Sequence, residues 1–107
     1  MCRGPEAGKQ PMDAILADDL LDIAFVQFYN DNSCETLFPT FNFRVWDTWA
    51  KGKTKKRTRV FIGLAAGPSA GTGYVSPEKL GIVDFTKANA SFGGVMLWDA
   101  SQSWANE

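Results

Sequence analysis

Three apolar runs punctuate the chain: "DIAFVQFYN" at 22–30, "TRVFIGLAA" at 58–66 and "FGGVMLWD" at 92–99. They are rich in β-branched and aromatic residues and lack the strict alternation of a half-exposed strand. That pattern predicts strands buried on both faces. Segments of helical character separate them. "DAILADDLL", after Pro11, sets apolar Ile15 and Leu16 one turn ahead of Leu20 and predicts a short helix. "RVWDTWAKGKTKKR" presents Val45, Trp46 and Trp49 at helical spacing and loses helical support around Gly52. "SPEKLGIVDFTKANA" opens as a helix should, with Ser76 able to cap, Pro77 at the first helical position and Glu78 complementing the dipole. Leu80, Val83 and the stem of Lys87 then fall along one side. "DNSCETLFPTFNF", with its Asn, Ser and Pro and no period, predicts a long loop.

Strand, helix, strand, helix, strand, with uniformly apolar strands, predicts an α/β fold of parallel strands covered by helices. Right-handed crossovers carry the C-terminal end of every strand to one rim. Tyr29 with Asn30, the loop "AAGPSAGTG" and Trp98 with Asp99 are therefore expected at a single edge, where α/β proteins place their sites. The first run also ends oddly. Gln27, Tyr29 and Asn30 put two amides and a phenol at the end of an apolar strand, and such groups need partners that a plain core does not supply.

Composition narrows the chemistry. With 107 residues, 45% hydrophobic and 21% charged, the chain has one domain's worth of ordinary globular sequence. Its net charge of −1 gives no general attraction to nucleic acid or anionic membrane. No apolar stretch approaches the roughly 18 residues of a membrane span, and "MCRGPEAGKQP" lacks the apolar centre of a signal peptide. Histidine is absent, and Cys2 and Cys34 alone cannot build a zinc site of the usual ligand count, so neither metal nor cofactor is expected. Lys51, Lys53, Lys55, Lys56, Arg57 and Arg59 form the conspicuous charge run. Following a helix, they suit the negative end of its dipole and read as a solvated helix end rather than a nucleic-acid patch. Asp99 reads as a turn or helix-cap residue, and Gly93 and Gly94 as sites of tight packing at a strand's start.

"VQFYN", "VFIGLAAGPSAGTGYVSPEKL" and "FGGVMLWDAS", in this order and spacing over about residues 10–106, resemble the last three barrel strands of glycoside hydrolase family 18, in its fungal and plant class III chitinase branch. The resemblance implies the C-terminal portion, about three βα units, of a TIM (β/α)8 barrel, a fold of about 250 residues when whole. It implies hydrolysis of β-1,4 links between N-acetylglucosamine units, with retention, by attack of the substrate's own acetamido group. Tyr29 matches the family tyrosine that hydrogen-bonds the acetamido oxygen and steadies the oxazolinium intermediate. Gln27 and Asn30 match polar residues that help hold the sugar and the catalytic carboxylates, and Trp98 matches the tryptophan floor beneath the sugar ring.

The family's acid strand, DxxDxDxE, is not matched. The nearest string, "DLLDIAFV", offers Asp19 and Asp22 for the first two acids but Ala24 and Val26 where Asp and Glu are required, and so is no signature; by order in the family the motif is expected upstream of residue 1. The chain alone is therefore expected to be inactive, with chitin or chito-oligosaccharide as its ligand and no nucleic-acid or membrane partner. A chitin-binding remnant without catalysis, or a non-functional truncated gene product, are the alternatives. By the same resemblance Cys2 and Cys34 are a disulfide pair, although "CRGPEAG" departs from the family's usual "CPxPD". A secreted location follows from the family, a cytoplasmic one if the chain is complete without a signal. Exposed strand edges in a three-strand slice predict self-association.

Overall fold

A computed structural model of the chain describes residues 4–5, 12–17, 20–35, 41–53, 58–79 and 81–106. Among these residues, three strands form one parallel sheet in sequential order: β1 (Ile23–Gln27), β2 (Arg59–Ala65) and β3 (Phe92–Trp98). Four helices accompany them among the described residues: α1 (Asp13–Leu16), α2 (Phe43–Lys53), α3 (Gly81–Lys87) and α4 (Ala100–Ala105). The three apolar runs thus become the three strands, and the parallel α/β arrangement expected from their alternation with helices is the one observed. The helix read from Ser76 onward is split. A single 3-10 turn spans Pro77–Lys79, α3 begins at Gly81, and Leu80 lies outside the described residues. One helix escaped the sequence reading altogether: α4, which Asp99 caps.

Alternation along the strands divides the sheet into two faces. Val26 and Phe28 from the first strand segment and Val60, Ile62 and Leu64 from β2 pack with Phe43, Trp46, Trp49 and Ala50 of α2 and with Cys34 into the core. Trp46 and Trp49 meet edge to face, 5.7 Å between centroids, and the Trp49 indole N–H donates to the Leu16 carbonyl at the end of α1 at 2.9 Å. Below the sheet, buried Asp47 of α2 accepts from the backbone N–H and hydroxyl of Ser91 at 2.9 and 2.6 Å and pairs with Lys51 at 2.6 Å. This contact pins α2 to the turn that launches β3.

The opposite face departs from expectation. Strands read as buried on both faces are covered on one: Phe25 is 59% exposed, and Ile23 is also open. Among the described residues nothing is laid over this side, so its apolar residues pack sideways on one another. Phe25 and Phe61 stand edge to face at 5.2 Å. Opposite Phe61 the β2–β3 register slips by one residue, and a Cβ on Gly93 would lie 2.5 Å from its ring. Gly93 and Gly94 therefore make room for an aromatic ring, in accord with their reading as packing glycines.

Candidate functional site

Parallel pairing with Gln27 opposite Gly63 and Ala65 opposite Trp98 delivers all three strand ends to one rim. At the end of β1, the Gln27 Nε2 donates to the Tyr29 carbonyl at 3.0 Å, which fixes the turn carrying the tyrosine. Tyr29 is 5% exposed. Burial first, and then the negative charge of Asp99, push its phenol above the ordinary tyrosine range. That electrostatic link crosses the rim from the first strand's end to the third's.

Asn30 adopts φ 58°, a left-handed backbone that asparagine tolerates better than most residues. Its role here is to clasp two loops. The Asn30 N–H donates to the Thr72 carbonyl at 3.0 Å, and the Thr72 N–H returns a bond to Asn30 Oδ1 at 2.7 Å. Beside this pair, Glu35 is 2% exposed and its Oε1 accepts from the Thr72 hydroxyl at 2.8 Å and the Asp31 N–H at 3.2 Å. Gly73, at φ +79°, lies so close that a Cβ would fall 2.6 Å from Glu35 Cδ. Sequence reasoning missed Glu35 and Thr72. The signal was faint: a threonine between two glycines, 37 positions from its acidic partner.

The same loop is fastened on its other side. The Ala66 N–H donates to the Trp98 carbonyl at 2.9 Å, while Asn106 Nδ2 donates to the Ala66 carbonyl at 3.3 Å and to the Tyr74 hydroxyl at 2.8 Å. Trp98 is 52% exposed at the end of β3 and joined to Asp99 by a cis peptide bond. Asp99 accepts from the Ser101 hydroxyl at 2.6 Å and the Gln102 N–H at 3.1 Å. These donors, the Ser101 hydroxyl foremost, hold its carboxyl below the ordinary aspartate range. It serves as the helix cap the sequence suggested.

Cys34 is fully buried and disulfide-bonded; the chain's other cysteine, Cys2, lies outside the described residues. So do Lys55, Lys56 and Arg57 of the basic run. Of its described members, Lys51 pairs with Asp47 and Arg59 donates to the Ala90 carbonyl at 2.9 Å. Beside the β1 edge, Met12, Ile15, Leu21, Phe25 and Trp46 border a largely apolar hollow of about 590 Å³.

No protein-family model matches the chain. Curated relatives do. Chitinase 1 of Rhizopus niveus is 40% identical over 102 residues, covering 88% of this chain and 21% of that protein. The class III chitinase of Arthroderma benhamiae is 37% identical over 95 residues, covering 79% of this chain and 29% of that protein. This chain therefore spans less than a third of the length of these relatives. Among solved structures, a xylanase-α-amylase inhibitor protein in complex with trehalose superposes with TM-score 0.67 at 27% identity, covering 96% of this chain and 42% of its own.

Proposed function

We infer that this chain belongs to the class III chitinases of glycoside hydrolase family 18, forms the sixth to eighth strand units of a (β/α)8 barrel and supplies the sugar cradle of a chitinase. One observation carries the reading: the Tyr29 phenol and the Trp98–Asp99 strand end share a rim, close enough for the Asp99 charge to act on the phenol. In this reading the Tyr29 hydroxyl donates to the acetamido oxygen of the sugar at the cleavage site as that oxygen attacks the anomeric carbon. Oxazolinium formation breaks the glycosidic bond, and the leaving oxygen takes its proton from a carboxylic acid outside this chain. Trp98 offers the C–H face of the sugar a half-exposed aromatic plane, while Gln27 and Asn30 orient groups around it. The chain alone is inactive, since it carries no DxxDxDxE acid strand; its nearest string, "DLLDIAFV", has Ala24 and Val26 where that motif needs Asp and Glu. The disulfide at Cys34 goes with an oxidising, extracytoplasmic setting.

The test is a chimaera in which residues 10–106 replace the matching segment of the Rhizopus niveus enzyme. Fluorophore release from a chitotriose glycoside is expected, with Tyr29→Phe lowering kcat by about 100-fold or more and the isolated chain releasing nothing. An active chimaera indifferent to both Tyr29→Phe and Trp98→Ala would sink the reading. A second reading, sugar binding without hydrolysis, draws on the trehalose-bound inhibitor similar to this chain. It predicts calorimetric binding of chitotriose by the isolated chain, weakened by Trp98→Ala.

A further inference from the structure

The turn that carries Tyr29 is held both by its own strand and from a second loop. Gln27 fixes the Tyr29 carbonyl, Asn30 exchanges two hydrogen bonds with Thr72, and a buried carboxylate bridges the Asp31 N–H to the Thr72 hydroxyl. That carboxylate belongs to Glu35, next to the disulfide-bonded Cys34 in the core. We propose that Glu35 is a positioning residue: acting through Thr72 and the Asp31 N–H, it locks the 29–31 turn so that the Tyr29 ring stays buried at the rim. Its consequence for sugar binding rests on the reading of Tyr29 given above; its effect on Tyr29 does not.

The geometry makes the effect specific. A carboxylate removed from water needs donors, and two are aimed at one oxygen. The neighbouring glycine at 73 leaves the space that Glu35 fills, so the side chain has been given a seat rather than left over. Without it, the Asp31 N–H and the Thr72 hydroxyl each lose this acceptor, and the tie between the turn and the second loop is left to the Asn30 clasp.

The experiment uses the full chain with 13Cζ-labelled tyrosine, whose two signals, Tyr29 and Tyr74, are told apart by Tyr29→Phe. Expected for Glu35→Ala and for Thr72→Val is a fall of the Tyr29 titration toward the ordinary tyrosine value, with far-UV circular dichroism unchanged. Chitotriose affinity should fall about tenfold, and Thr72→Ser, which keeps the hydroxyl, should restore both. If Glu35→Ala fails to fold, the exposed Thr72 carries the test. A Tyr29 titration that stays at the wild-type position in Thr72→Val overturns the proposal. Should the chain bind no chitotriose, the cradle reading fails while the titration still decides the role of Glu35.

Discussion

Asp47 shows how a single buried carboxylate ties distant parts of this chain together. Burial pushes its pKa up, but Lys51 and the two donors of Ser91 outweigh that and leave it below the ordinary aspartate value. A pKa depressed in the folded state means stability that is full above the unfolded value of about 3.9 and is lost as pH falls through the lower folded value. Asp47→Ala should therefore cost about 1–3 kcal/mol at neutral pH, because the Ser91 N–H loses its acceptor. The penalty should shrink as acid protonates the wild-type carboxylate, a convergence that urea melts at pH 7 and pH 3 would reveal. Equal penalties at both would contradict it. Tyr29, Trp98 and Asp99 were legible in the sequence because each closes an apolar run. The Asp47–Ser91 and Glu35–Thr72 contacts were not, since they span 44 and 37 residues and no local pattern announces such pairs.

At the level of elements, the hydrophobic pattern located all three strands, and their sequence order matched their order in the sheet. What it could not show was cover. An apolar run is the same string whether one face or two is packed, and both β1, at Ile23 and Phe25, and β3, at Val95 and Leu97, proved partly open. Helix α4 escaped notice because six residues, "ASQSWA", carry no usable period; its existence depends on the Asp99 cap. The loop between β2 and the 3-10 turn was expected at the rim, but nothing in its sequence shows that Gly73 occupies a left-handed conformation against a buried side chain. Gly73→Ala should destabilise the chain by more than about 1 kcal/mol, seen as a lowered urea midpoint. A midpoint unchanged from wild type would mean that Glu35 yields its place easily.

For the whole molecule, the open face and the edge of β1 are the dominant physical facts. Phe25, Ile23, Met12 and Ile15 present apolar surface beside backbone groups that, among the described residues, have no strand neighbour. Such an edge seeks another chain. The isolated polypeptide should therefore associate with rising concentration in sedimentation velocity, and Phe25→Lys, placing a charge on the open face, should shift it toward monomer. A wild-type chain that stays monomeric at all accessible concentrations would count against this.

The loop from Ala66 to Tyr74 is held at both extremities, by the Trp98 carbonyl and Asn106 at one end and by Asn30 and Glu35 near the other. Between those anchors there is no slack in which to drop a residue, because a one-position slip would take Thr72 away from Asn30 or Ala66 away from Trp98. Shortening this stretch would therefore break one anchor or the other, even where individual side chains are free to drift.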